Sequence, residues 1–133
     1  MPAVYMTPAR IALSIPLVNA LAHPLVAGPV FASHPFDLQD FTLKGQEESV
    51  PAHVGPPSIN VEAKLVGVDD DTIENGGDPF GWLYVRGPSV GRMGDEDHEN
   101  YAEVSSDDKD EREGWVSTEV EATIFPNGSF LAW

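Results

Sequence analysis

Hydrophobic and polar positions alternate most clearly in the second half of the chain. Across 58–68, Ile59, Val61, Ala63, Leu65 and Gly67 fall on one side and Asn60, Glu62, Lys64 and Val66 on the other. That period of two predicts a half-exposed strand. Across 81–86, Trp82, Tyr84 and Arg86 share one face and Leu83 and Val85 the other, which predicts a second strand. Asn75-Gly76-Gly77-Asp78 between them is turn chemistry, so the two strands are expected to pair antiparallel. Strand character resumes over 115–118 and 121–125, and Pro126-Asn127-Gly128 makes a tight turn into 129–133.

The first half reads differently. Residues 11–33 form an apolar run without a formal charge, preceded by Arg10. Thr7 suits a helix cap and Pro8 a first helical position. Ile11, Leu13, Leu17, Val18 and Leu21 then predict a buried helix, kinked at Pro16 and ended by Pro24. Residues 25–32 follow as a short buried strand broken at Gly28-Pro29. The run is near the ~20 residues of a membrane span, and its small-residue end at Ala32 resembles a signal-peptide cleavage site. Three prolines, Asn19 and His23 weigh against both readings. Residues 36–57 are turn-rich and read as an irregular connection.

Composition narrows the fold class. A chain of 133 residues makes one small domain, and twelve Gly with twelve Pro are too many for a helical bundle. The expected class is α+β, mainly β: a small distorted antiparallel barrel or sheet preceded by a short helix and a strand. With no Cys, disulfides, thiolate nucleophiles and Cys-ligated metals are excluded.

The net charge of −15 argues against nucleic acid and against an anionic membrane surface. No acid precedes Asp37, whereas residues 95–113 hold ten acids against one Lys and one Arg and predict a solvated acidic loop.

Five blocks recur in a telling order: Val54-Gly55-Pro56-Pro57, Asn60-Val61-Glu62-Ala63-Lys64-Leu65-Val66, Val85-Arg86-Gly87-Pro88-Ser89-Val90, Gly114-Trp115-Val116-Ser117-Thr118, and Asn127-Gly128-Ser129-Phe130-Leu131. Together they resemble the AMP-dependent, adenylate-forming synthetases, long-chain acyl-CoA synthetases in particular. The resemblance implies that 1–53 are a remnant helix, strand and connection of the large domain. It implies that 54–133 are the small β-barrel beside the nucleotide. An intact enzyme of this kind uses ATP and Mg²⁺ to join a fatty acid to CoA through an acyl-adenylate. It implies an intracellular location, most simply the cytoplasm, often on intracellular membranes.

The departures matter as much. Where the family pattern has Gly-Glu-x-x-Val-Arg-Gly, Trp82 replaces the Glu. Where it has Gly-Trp-x-x-Thr-Gly-Asp, whose Asp accepts both ribose hydroxyls, this chain has Gly114-Trp115-Val116-Ser117-Thr118-Glu119-Val120. Aligned without a gap, Val120 holds the Asp position and cannot accept a hydrogen bond. With one Gly lost, Glu119 takes that role at longer reach. Thr118 and Glu119 are therefore the residues expected to make any nucleotide contact.

The sequence contains no Ser/Thr/Gly-rich loop ending in Pro-Lys-Gly and no Tyr-Gly-x-Thr-Glu motif, while the hinge Asp-Arg and distal Lys are expected beyond Trp133. On this reading the chain is a fragment or degenerate relative of an acyl-CoA synthetase, inactive alone and completed by missing enzyme segments. Two alternatives stand beside it. One is a non-catalytic β-domain acting through a protein partner, and the other a secreted acidic protein whose mature chain begins near Ser33.

Other chemistry is weaker. Asp69-Asp70-Asp71-Thr72-Ile73-Glu74-Asn75-Gly76 departs from a calcium loop because Ile73 stands where an oxygen ligand is needed. Asp95-Glu96-Asp97-His98-Glu99 reads as solvated. His23, His34, His53 and His98 lack metal-ligand spacing. Gly87-Pro88-Ser89-Val90-Gly91 departs from a nucleophile elbow because Pro precedes the Ser. Asn127-Gly128-Ser129 is a glycosylation sequon that turn chemistry already explains.

Overall fold

A computed structural model describes residues 3–37, 52–91 and 114–132. The acidic stretch 95–113 and part of the 36–57 connection lie outside the described residues. The elements run α1 (Ala3–Leu13), β1 (Ala20–Ala22), β2 (Pro29–Ala32), β3 (Glu62–Val66), α2 (Asp70–Glu74), β4 (Phe80–Arg86), β5 (Val116–Ile124) and β6 (Phe130–Ala132).

Four of these strands form one antiparallel sheet in the order β3-β4-β5-β6, and β1 and β2 form a second. The alternation seen in the sequence is realised in the register. Ala63 lies opposite Val85 and Leu65 opposite Leu83, facing inward, while Glu62 faces Arg86, Lys64 faces Tyr84 and Val66 faces Trp82 on the outer side. Leu83 and Val85 are fully buried, and Ala63 and Leu65 pack against the same cluster. Ile59, counted with the inward set from its spacing, is almost fully exposed. It lies in a turn in which the Val61 amide donates to the Ser58 carbonyl and Asn60 is left-handed, so the strand period begins only after it.

The segment 52–58 stitches the two sheets together. The Val54 amide donates to the Phe130 carbonyl at 2.8 Å and the Phe130 amide to Gly55 at 2.9 Å. Ser58 donates to the Val30 carbonyl at 2.9 Å. The result is a mainly β fold with a curled half-barrel sheet, as expected from the sequence. Gly55 is needed at this junction: its φ is +80°, and a Cβ there would sit 2.5 Å from the Ala32 carbonyl oxygen. The barrel interior is filled by Val26, Val30, Phe31, Val54, Val61, Leu83, Val85, Ala122 and Phe130. Phe31 and Phe130, one from each sheet, meet with ring centroids 4.5 Å apart. Full burial of one such side chain contributes about 1.5–3 kcal/mol.

The N-terminal helix departs from the sequence reading. It spans Ala3–Leu13, with Pro8 inside it, and does not continue to Leu21. Ser14 turns left-handed at φ 52°, Ile15 precedes a proline, and the Arg10 guanidinium bonds the Leu17 carbonyl. Asn19 then locks the chain into extended form: it exchanges hydrogen bonds with Ser33, and its Nδ2 donates to the carbonyls of Ala52 and His53. Residues 17–21, spaced for a helix, therefore lead into β1. The expected burial also fails, since Ile11 is 75% exposed and Leu13 58%. The strand expected over 25–32 is shorter, at Pro29–Ala32, where it pairs with β1. Among the described residues, no helix is long and apolar enough to cross a membrane.

Candidate functional site

Residues 118–120 interrupt an otherwise regular ladder. Tyr84 pairs with Ser117 and Trp82 with Glu121, so Leu83 alone opposes Thr118, Glu119 and Val120. This is a special bulge, three residues against one, and the sequence shows it only as a gap between two strand-like stretches. Local hydrogen bonds hold its shape. Thr118 Oγ1 donates to the Leu83 carbonyl at 2.8 Å and accepts from the Val120 amide at 3.3 Å. The Glu119 amide donates to Ser117 Oγ at 3.3 Å.

The two residues singled out from the sequence thus stand side by side but differ in environment. Thr118 is buried, its hydroxyl committed to the bulge. Glu119 is exposed, with φ at 56°. A left-handed non-glycine residue costs roughly 1–2 kcal/mol, and it is the conformation a glycine would take without that cost. Val120 is half-buried.

Beside the bulge, the outer sheet face carries a cation–aromatic cluster. Lys64 Nζ and the Arg86 guanidinium each lie 4.6 Å from the centre of the Trp115 ring. Arg86 also pairs with Glu62, both Nε and a terminal nitrogen 2.7 Å from Oε2. Arg86 is therefore a pairing residue of the sheet. Lys64 reaches over Tyr84 as well, at 5.9 Å, and that ring is buried although it lies on the outer side.

His53 carries no spacing signal in the sequence, because an isolated histidine gives none. It is buried, with Nε2 3.5 Å from Asp37 Oδ2. Burial lowers its pKa from the ordinary 6.5, the Asp37 carboxylate opposes that shift, and nearby Arg10 adds to it. The acids Asp69–Asp71 lie at the start of α2. Asp69 caps α2, accepting from the Asp71 amide and from Thr72 Oγ1. Ser89 lies in a turn closed by Val90 donating to Gly87. Among the described residues, no group of three or more His, Asp or Glu is placed to hold a metal ion.

Comparison with solved structures finds a likeness of fold. The structure in question is the amide bond synthetase McbA from Marinactinospora thermotolerans, matched with a TM-score of 0.64 at 22% identity over 99% of this chain. The chain spans about a quarter of that protein, 24% of its length. No family model matches the sequence, and no curated protein matches it. At this identity the likeness speaks for the fold.

Proposed function

We propose that this chain is the nucleotide-flanking barrel of an acyl-adenylate-forming ligase of the acyl-CoA synthetase kind, unable to complete a catalytic cycle alone. The single observation that carries the reading is the bulge at 118–120, which falls on the block resembling Gly-Trp-x-x-Thr-Gly-Asp. The left-handed backbone at Glu119 favours the ungapped alignment, with Glu119 in the glycine position and Val120 in that of the Asp. The Asp position itself then offers no acceptor, and the carboxylate left at this turn is that of Glu119, one residue earlier and exposed, while Thr118 shapes the turn from beneath.

In such a ligase ATP and Mg²⁺ activate a fatty acid and CoA receives it. Adenylation needs the phosphates held and the acyl carboxylate aligned for attack, and this sequence has no phosphate loop to do so. Its contribution is a wall of the pocket.

Calorimetric titration with a non-hydrolysable acyl-adenylate, such as an acyl sulfamoyl-adenosine, tests this. Saturable heat that disappears in Glu119→Ala is expected. A second reading, a non-catalytic β-domain that acts through protein contacts, is favoured by Val120 in the Asp position and by the exposed Ile11, Leu13, Ile15 and Val18. It predicts no heat at high ligand concentration.

A further inference from the structure

Two Asn-Gly pairs lie in exposed turns, and their side-chain amides are held in opposite directions. Asn75 closes α2: its Nδ2 donates to the Asp71 carbonyl at 2.7 Å, four residues back. Asn127 sits between β5 and β6, and its Oδ1 accepts the Ser129 amide at 2.9 Å, two residues ahead. The following glycine amides are alike. Gly76 donates to Ile73 at 3.0 Å and Gly128 to Phe125 at 2.9 Å. Both glycines have φ near +75° to +80°, and neither would have a neighbour within 4 Å of an added Cβ. The difference between the two sites therefore lies in the asparagine side chain.

We propose that Asn127 is a site of spontaneous succinimide-mediated deamidation, and that folding spares Asn75. The Asx turn at Asn127 carries its side-chain carbonyl forward over the Gly128 peptide. The Ser129 N–H polarises that carbonyl and stabilises the negative charge that develops on Oδ1 under attack. At Asn75 the side-chain amide is instead engaged backward, its Nδ2 donating to the Asp71 carbonyl, and among the described residues no backbone N–H ahead of it donates to its Oδ1.

In the reaction, solvent base removes the Gly128 amide proton and the nitrogen bonds to Asn127 Cγ. The Cγ–Nδ2 bond breaks, and Nδ2 leaves as ammonia with a solvent proton. Water then opens the imide at either carbonyl, giving aspartate or isoaspartate. One water is consumed, one ammonia is released, and nothing is oxidised.

The position gives the modification a consequence. The turn is closed by Gly128 donating to Phe125 and Phe125 donating to Ser129, and it leads directly into Phe130, the core partner of Phe31. Isoaspartate would insert a methylene into the backbone of that turn and add a charge to an already acidic chain.

The test is timed incubation at mildly alkaline pH, native and in urea, followed by trypsin. Cleavage after Lys64, Arg86 and Arg112 puts Asn75 and Asn127 in different peptides. Amide-to-acid mass gain and isoaspartyl methyltransferase labelling are read on each. In the native protein the Asn127 peptide should convert roughly tenfold faster than the Asn75 peptide, about what one favourable hydrogen bond contributes to a barrier. In urea the two rates should converge. Equal native rates, or faster conversion at Asn75, would overturn the proposal, as would an unchanged ratio in urea.

Discussion

The Thr118 hydroxyl donates to the Leu83 carbonyl, 2.8 Å away across the β4–β5 pair, and this bond holds three residues of β5 opposite one of β4. Because Thr118 is buried, removing the donor strands a carbonyl with no water to replace it. Thr118→Val should cost about 1–3 kcal/mol in urea unfolding, while Thr118→Ser should recover most of it. Equal losses in both variants would show that the methyl packing, not the hydroxyl, matters.

Glu119 is held left-handed without being glycine. Glu119→Gly should therefore raise stability by up to ~1 kcal/mol, the relief of backbone strain less the entropy glycine adds to the unfolded chain. Glu119→Val should lower it. Denaturant midpoints of the three proteins check the order.

Phe31 and Phe130 tie the two sheets together at the barrel's centre. Phe130→Ala should cost about 3–5 kcal/mol, whereas Phe130→Leu should cost far less because it fills most of the space. A thermal melt that barely moves for Phe130→Ala would contradict the assigned core.

His53 makes stability depend on pH. Its folded pKa lies below the ordinary 6.5, so the unfolded chain binds the proton more readily. Stability from this group is fully present above pH 6.5 and is lost as pH falls through that value toward the lower folded pKa. Unfolding free energy measured across this range should decline with acidification, and His53→Gln should flatten the decline. A wild-type profile that rises instead would reverse the sign assigned to burial.

How much of this was readable in advance depended on where the information lay. Strands β3 and β4 are legible because Ala63 and Leu65 alternate with Glu62, Lys64 and Val66, and Leu83 and Val85 with Trp82, Tyr84 and Arg86, and burial on one face forces a period of two. The tight turn at Pro126-Asn127-Gly128 was equally local. Helix α1 ends earlier than the spacing predicts: 17–21 carry helical spacing, yet Asn19 is claimed by carbonyls of residues 52 and 53, more than thirty positions away. His53 likewise acquires its meaning only from burial beside Asp37. At the candidate site, Thr118 and Glu119 were found through resemblance to a motif. The bulge that separates their roles comes from a register mismatch between β4 and β5, which spacing within β5 cannot express.

The most direct test follows backbone amides in an isotope-labelled sample during titration with an acyl sulfamoyl-adenosine. Saturable shifts centred on Thr118, Glu119 and Val120, extending to Leu83 and abolished by Glu119→Ala, are the expected result. Unmoved resonances at these positions with millimolar ligand, or shifts confined to the N-terminal helix, would contradict a nucleotide-facing turn.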